Sequence, residues 1–271
     1  CLSSRDKGVR FQPLPKVFSE LQRYLDAGVR QVKFVDRTFN ANPDFAMAIW
    51  KYLADHDNGI TNFHFEMEGG LITDEQIAFL ATVRPGLFQF EIGVQSTNPA
   101  TLTAVDRRKD FPQVSKAVQA IRSAKNLHVH LDLIAGLPFE SLQRFGESFN
   151  DVYALEPEQF QLGFLKLLKG SGLRRDAGKY GIRWQEEAPY EVLETPALPY
   201  SDLLRLKEAE ALLDLYYNSG RFRASLRELV RLAPSPFAFY LGFGDFYRQK
   251  GHHLRPHTLT DQYSILREYG Q

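Results

Sequence analysis

Polar side chains suited to acid–base chemistry and hydrogen bonding recur at every second position of several apolar segments. Glu66, Glu91, His130 and Asp132 each lie between two apolar or small residues, and Gln95 ends one of the segments. Alternate side chains of a strand point to opposite faces, so this spacing gathers carboxylates, imidazoles and amides on one face of a sheet. Such a face can transfer protons or hold a polar ligand.

The segments that carry these side chains are predicted to be five strands, over residues 31–36, 63–67, 87–94, 128–135 and 159–167. Helical periodicity separates them, over residues 14–27, 43–54, 111–124 and 142–155. Successive strands start roughly 25–40 residues apart, which is the spacing of βα units joined by right-handed crossovers. The pattern therefore predicts a parallel (β/α) barrel or part of one.

The polar face is predicted to line the barrel interior, because the apolar sets can pack under the crossover helices. A closed barrel usually fills its interior with Val, Ile and Leu, so a polar interior indicates an open lumen that holds a large polar ligand. The alternative is an amphipathic sheet with one face in water, although crossover helices normally cover both faces of a parallel sheet. Ligands in such folds lie at the carboxyl ends of the strands. The residues predicted there are Asp36, Arg37, Glu66, Glu68, Gln95, Ser96 and the Gly136 turn.

The sequence pattern changes near residue 184, where a polar connecting segment contains Pro189, Pro196 and Pro199. Amphipathic helices are predicted after it, over residues 201–217, 221–232, 236–249 and 260–269. The chain is therefore divided into a barrel of residues 1–183 and a small helical domain of residues 184–271.

Composition narrows the class of protein. The 271 residues are 44% hydrophobic, which suffices for one large α/β domain with a smaller appendage. The 33 basic and 33 acidic residues give no electrostatic argument for nucleic acid or an anionic membrane. There is no long charge-free apolar run that would predict a membrane span. Cys1 is the single cysteine, which fits a reducing, cytoplasmic setting.

Four motifs, in order, resemble those of radical S-adenosylmethionine enzymes. Residues 90–99 resemble the family's fourth-strand motif, and residues 132–140 resemble its fifth-strand motif, which supports the adenine of the cofactor. Residues 102–107 match a Leu, a short helix and an Arg, and residues 164–174 resemble the exit from the barrel. Within this family, the sequence pattern most resembles that of the cobalamin-binding branch of iron–sulfur oxidoreductases, a group that includes anaerobic magnesium-protoporphyrin ester cyclases.

This resemblance implies a partial (β/α)6 TIM-like barrel of parallel strands that lacks its first strand and is followed by a small α-helical C-terminal domain. Such enzymes hold a 4Fe–4S cluster with three cysteines spaced Cys-x3-Cys-x2-Cys, and Cys1 stands where the third should lie. Cys1 is therefore the predicted metal ligand, with an accidental free thiol as the alternative. Because one cysteine cannot hold the cluster, the chain as written is predicted to be inactive.

The resemblance also implies roles at the cofactor, S-adenosylmethionine. Gln95 and Ser96 would bind the ribose or the methionine end, the alternative being an ordinary polar pair at a strand end. Arg107 would pair with the methionyl carboxylate, because its donors match two oxygens; a solvated basic turn that includes Arg108 and Lys109 is the alternative.

The acidic residues have two predicted uses. Glu66 and Glu91 would accept hydrogen bonds from the ribose or the methionyl ammonium, or would buttress the arginine, and Asp132 would support the same network. The family's Gly-Gly-Glu motif is absent. In its place stands the segment Asp36-Arg37-Thr38, whose backbone carbonyls would meet the ammonium, so no glutamate role is carried over.

The implied reaction is one-electron reduction of S-adenosylmethionine to methionine and a 5′-deoxyadenosyl radical that acts on an unidentified small molecule. The implied partners are an electron donor such as flavodoxin or ferredoxin and, through a missing N-terminal domain, cobalamin. Two other classes stay open. One is an aldolase or hydrolase that uses Glu66, Glu91 and His130 as acid–base groups, and the other is a barrel that binds ligands without a cluster.

Overall fold

The computed structural model describes residues 8–107 and 111–271. Within them, five parallel strands form one sheet in chain order, so that each strand pairs with the next one along the chain. The strands are β1 (Gln31–Lys33), β2 (Asn62–Met67), β3 (Phe88–Gln95), β4 (His128–Ala135) and β5 (Gln159–Phe164). They form a half-barrel, which confirms the predicted partial TIM-like fold.

Two of these strands are shorter than predicted. β1 ends at Lys33; the Phe34 N–H still bonds the carbonyl of His64, but the next residue, Val35, is 87% exposed. β5 ends at Phe164 because the chain then leaves the parallel sheet and pairs with a later segment, where the Val192 N–H donates to the carbonyl of Leu165.

Helices cover the convex face of the half-barrel. They are α1 (Leu14–Asp26), α2 (Pro43–Asp55), α3 (Asp74–Leu80), α4 (Pro99–Ala104), α5 (Phe111–Ser123) and α6 (Leu142–Tyr153). Four of them were predicted within one or two residues at each end. The short helix α3 was not predicted as a separate element; it begins at a capping box in which Thr73 and Gln76 satisfy each other's backbone N–H groups.

Burial alternates along β3 as the sequence pattern requires. Phe88, Phe90 and Ile92 are fully buried, and the ring of Trp50 from α2 lies 5.5 Å from that of Phe90. Glu91, between these apolar residues, remains partly exposed. The apolar sets therefore face the helices and the polar sets face the concave side.

The chain after β5 forms a short helix, a two-stranded antiparallel sheet and a group of longer helices. These elements are α7 (Gly172–Arg175), β6 (Arg183–Trp184), β7 (Val192–Glu194), α8 (Tyr200–Leu212), α9 (Arg223–Leu232), α10 (Pro236–Gln249) and α11 (Leu259–Tyr269). The last turns of the predicted helix 201–217 are π-helical, over Leu213–Asn218. The small antiparallel sheet was not predicted.

The helical tail packs against the free edge of β5. The Asn218 amide accepts a hydrogen bond from the Phe160 N–H at 2.8 Å and donates one to the Phe160 carbonyl at 2.9 Å, as a neighbouring strand would. Rings of Phe149 in α6 and Phe237 in α10 lie 5.5 Å apart within one continuous apolar core. The division into domains at residue 183 stays a prediction.

Among the described helices, none combines the length and apolar character that a membrane span requires.

Candidate functional site

A polar cleft lies on the concave face, toward the carboxyl ends of β2, β3 and β4. Its lining residues are Arg37, Thr38, Glu66, Met67, Glu68, Glu91, Gly93, Gln95, Arg107 and Asp132. Six of the nine predicted cofactor-binding residues are among them. A larger groove lies between α2 and the start of α3, and none of the predicted residues lines it.

The end of β3 is irregular where it enters the cleft. The register between β3 and β4 shifts between Gly93 and Gln95, and Gln95 adopts a left-handed backbone with φ of 69°. This bulge turns the Gln95 side chain across the strand pair, and its Nε2 donates to Oδ2 of Asp132 at 2.5 Å. The structure thus places two predicted residues in direct contact.

Gly93 forms the floor of this part of the cleft. A Cβ added there would lie 2.6 Å from Nε2 of Gln95 and 3.4 Å from both Nη1 of Arg107 and Oδ1 of Asp132. Arg107 follows α4 and donates from Nη1 to the Gly93 carbonyl at 3.2 Å. The absence of a side chain at position 93 therefore allows a cation, an amide and a carboxylate to converge.

Glu91 lies one pleat below Gly93 and connects the cleft with the deeper part of the concave face. Its Oε2 is 3.0 Å from Nε2 of His64 and 3.5 Å from Nζ of Lys33. The hydrogen bond from His64, which outweighs the effect of burial, lowers the pKa of the Glu91 carboxyl. Glu91 is therefore an anion at neutral pH.

Below Glu91, the concave face holds a second polar pair. Nε2 of Gln89 and Nε2 of His130 are 3.0 Å apart, and the His128 ring centroid lies 4.8 Å from that of His130. Burial, reinforced by the neighbouring histidines, lowers the pKa of His130 to about 4. His130 is therefore neutral at pH 7 and accepts the amide proton of Gln89.

Three predicted site residues do not line the cleft. Asp36 is exposed on the loop after β1. Ser96 is buried and donates to Glu140 at 2.5 Å. Gly136, with φ of 87°, makes a turn against Val192, whose Cγ1 would lie 2.6 Å from an added Cβ. Cys1, Arg108 and Lys109 lie outside the described residues.

Some residues of the site were not predicted as ligands. Thr38 lines the cleft directly after Arg37, and its side chain had no predicted role, whereas Glu68, which also lines the cleft, was predicted at the end of its strand. Glu140, the last residue of the fifth-strand motif, had no predicted role and is fully buried beneath the end of β3. A buried carboxylate cannot be recognised from sequence when its partner, Ser96, lies 44 residues away.

Two family models match parts of this chain. Residues 1–152 match the model of the Radical SAM superfamily, where SAM is S-adenosylmethionine. The chain belongs to the radical S-adenosylmethionine superfamily. Residues 178–271 match a family described as protein of unknown function (DUF4080). The superfamily membership predicted from the motifs is confirmed, and the cleft lies in the part of the chain that matches it.

Curated relatives share part of this region. The chain is 28% identical over 116 residues to the oxygen-independent coproporphyrinogen-III oxidase-like protein HemZ of Bacillus subtilis, covering 43% of this chain and 23% of that protein. It is 30% identical over 94 residues to the oxygen-independent coproporphyrinogen III oxidase of Thermostichus vulcanus, covering 34% and 29%. The matches thus span about a quarter of the length of these relatives. Their names support the predicted oxidoreductase branch.

Solved structures share the fold. The methyltransferase TsrM of Kitasatospora setae superposes with a TM-score of 0.56 at 14% identity over 65% of this chain and 36% of that chain. The coproporphyrinogen III oxidase HemN of Escherichia coli superposes with a TM-score of 0.52 at 19% identity over 73% and 46%. Cobalamin and a 4Fe–4S cluster are bound in a TsrM structure.

The donor set of the cleft fits the charges of S-adenosylmethionine. That molecule carries an ammonium, a carboxylate, a sulfonium and a ribose diol. The cleft offers carboxylates in Glu66 and Glu91, a guanidinium in Arg107, and the amide–carboxylate pair of Gln95 and Asp132. Because Gly93 has no side chain, Gln95, Arg107 and Asp132 can converge at the floor of the cleft.

Proposed function

We propose that the chain is the catalytic half-barrel of a radical S-adenosylmethionine enzyme and that the cleft at the ends of β2, β3 and β4 binds this cofactor. The observation that carries the proposal is the convergence of Gln95, Arg107 and Asp132 around Gly93. These residues belong to the motifs that resemble the family's.

Each lining residue has a role in binding. Arg107 presents a planar fork of donors to the methionyl carboxylate. Glu91, ionised beside His64, accepts from the methionyl ammonium together with Glu66. The paired Gln95 and Asp132 present an acceptor-rich edge to the ribose hydroxyls. Held in this way, the cofactor is oriented before any electron arrives, and orientation is the contribution that a protein makes to such chemistry.

A 4Fe–4S cluster, when bound, supplies the electron that cleaves the cofactor. We infer that Cys1 is one of its ligands. The electron donor is inferred to be a flavodoxin or ferredoxin, and the location to be cytoplasmic.

The acid–base alternative is less well supported by the concave face. His130 is kept neutral by burial, and its Nε2 already accepts a hydrogen bond from Gln89. Glu91 is ionised, and its Oε2 already accepts a hydrogen bond from His64. In these forms neither group is a general acid at neutral pH, and the basic atom of each is already engaged.

The test uses the full gene product, purified and reconstituted without oxygen. We expect about four irons per chain and, after addition of a strong reductant, formation of 5′-deoxyadenosine from S-adenosylmethionine. Substitution of Cys1 by Ala is expected to abolish both. Iron binding that persists in this variant, or turnover of a substrate without iron, would contradict the proposal.

A further inference from the structure

The loops after β3 and β4 both contain a left-handed residue beside the cleft. Gln95 has φ of 69° and Phe139 has φ of 62°, a backbone conformation that is unfavourable for a residue with a side chain. Such residues persist where the surrounding contacts fix them. The residues that follow them, Ser96 and Glu140, are bonded to each other, Oγ to Oε1, at 2.5 Å.

Two further hydrogen bonds tie the same loops. Nδ2 of Asn98 donates to the carbonyl of Phe139 at 3.0 Å, and Oγ1 of Thr101 donates to the carbonyl of Pro138 at 2.8 Å. The Asn98 N–H in turn donates to Oγ of Ser96 at 3.0 Å. The Ser96–Glu140 bond lies at the centre of this set, directly behind the Gln95–Asp132 pair of the cleft.

Glu140 is unusual because its two oxygens have different surroundings. Its side chain is fully buried, and Oε1 accepts from both Ser96 and Ser148, the second at 3.2 Å. Oε2 has no hydrogen-bond partner within the described part of the chain. Burial, which outweighs the two serine hydroxyls, raises the pKa of this carboxyl to about 7.

The charged neighbours of Glu140 come from α6. Arg144 is close enough to favour the anion, but its Nη2 donates to Oγ1 of Thr97 at 3.0 Å rather than to the carboxyl. Asp151 accepts from the same hydroxyl at 2.7 Å. Both groups are thus held by Thr97, and Arg144 also pairs with Glu147 at 2.9 Å, so neither forms an ion pair with Glu140.

We infer that Glu140, in its neutral form, is the positioning residue that locks the ends of β3 and β4 together and so fixes Gln95 and Asp132 for S-adenosylmethionine. Loss of the proton leaves a buried charge with one unpartnered oxygen, which strains the tie between the loops. Gln95 and Asp132 then lose their fixed orientation. This inference rests on the proposed function, since it concerns affinity for the same cofactor.

The first experiment is calorimetric titration of S-adenosylmethionine into the chain at several pH values. For the wild type we expect the dissociation constant to rise about fivefold between about pH 6 and pH 8.5, as Glu140 ionises. Glu140→Gln keeps an acceptor for both serines and carries no charge. The dissociation constant of this variant is therefore expected not to rise between pH 6 and pH 8.5 through ionisation at position 140. Glu140→Ala is expected to bind about fivefold more weakly than the wild type at pH 6.

Glu228→Gln is the matched control, because Glu228 lies on α9, is exposed and pairs only with Arg231 among the described residues. It is expected to keep the wild-type pH profile. A Glu140→Gln profile that coincides with that of the wild type would overturn the inference, as would unchanged binding in Glu140→Ala.

A second measurement separates this inference from the proposed function. The folded-state pKa of Glu140 lies above its ordinary value of 4.5, so the unfolded chain releases this proton first. The stability contributed by the neutral acid is therefore lost as the pH rises from about 4.5 through about 7. The melting temperature of the wild type should fall over this window relative to Glu140→Gln. If that difference appears but the chain binds no S-adenosylmethionine at any pH, the proposed function is wrong. If the difference is absent, the inference that neutral Glu140 holds the ends of β3 and β4 together is wrong.

Discussion

The two sides of the cleft are built differently. On the side of β3 and β4, Gln95 is paired with Asp132, and the buried Ser96–Glu140 bond supports both from behind. On the side of β1 and β2, the loop that carries Arg37 is exposed, and its neighbour Val35 is 87% exposed. Polar groups that are already oriented lose less entropy on binding than groups that must be ordered. Affinity for the cofactor is therefore expected to come mainly from the β3–β4 side.

On the β1–β2 side, a buried amide anchors the loop that carries Arg37. Asn40 is fully buried, donates to the carbonyl of Glu68 and accepts from its N–H, both at 2.9 Å. This pair fixes the base of the loop and leaves residues 35–37 in solvent. A residue can therefore line the cleft without being held in a fixed orientation before the cofactor binds.

The largest expected effect comes from filling the floor of the β3–β4 side. In Gly93→Ala, the new Cβ would lie 2.6 Å from Nε2 of Gln95 and would displace it from Asp132. Loss of a charge-assisted hydrogen bond costs about 1.5–3 kcal/mol, so the dissociation constant for S-adenosylmethionine should rise about tenfold or more. Calorimetric titration checks this.

Gly163→Ala is the control for that variant. Gly163 lies on β5, and a Cβ there would lie 3.5 Å from its nearest neighbour, the Leu133 carbonyl, which is an ordinary contact. Its affinity is expected to equal that of the wild type. Equal losses in both variants would mean that Gly93 has no special place in the site.

A smaller effect is expected on the β1–β2 side. Arg37→Ala removes an exposed guanidinium that lines the cleft, and exposed charge interactions are worth about 0.2–1 kcal/mol. The dissociation constant should rise about two- to fivefold, and less at high salt. Asp36→Ala, one residue away and outside the lining, should change nothing. A loss in Arg37→Ala that exceeds the loss in Gly93→Ala would reverse the comparison of the two sides.

Substitutions on the deeper concave face are expected to change the affinity for the cofactor least. Their effect is better measured on the stability of the fold. Burial lowers the pKa of His130 to about 4, below its ordinary value, so the unfolded chain gains this proton first. The stability contributed by neutral His130 is present above about pH 6.5 and is lost as the pH falls toward 4. The melting temperature of His130→Gln should therefore fall less over this window than that of the wild type.

For His130, the control is His253→Gln, because His253 is exposed in the tail. It should follow the wild-type melting curve at acid pH. A wild-type acid response that survives in His130→Gln would show that this imidazole is not buried in its neutral form.

The sheet was predictable because two local signals agreed. Alternation in β3 and β4 separated apolar from polar faces, and the spacing of apolar segments indicated parallel βα units. The same alternation placed Glu66, Glu91 and Asp132 on one face. It also identified Gln95 at a strand end, and the structure brings that residue into the cleft.

The parts that were not predicted depend on contacts between distant segments. The bulge at Gln95 shifts the register between β3 and β4, and Ser96 is buried on Glu140, 44 residues away. Nothing in the local pattern shows that Asn218 would cover the edge of β5. Backbone conformation at one residue and side-chain pairing across loops are tertiary effects, so a single sequence does not reveal them.

The central claim is that Gln95, held by Asp132, binds S-adenosylmethionine. The most direct measurement is the dissociation constant of S-adenosylmethionine for Gln95→Ala beside that for Gln161→Ala, an exposed glutamine on the concave face of β5 that pairs in register with Asp132 but does not line the cleft. We predict a rise of about tenfold for Gln95→Ala and no change for Gln161→Ala. Equal affinities for the two variants would contradict the assignment of the cleft.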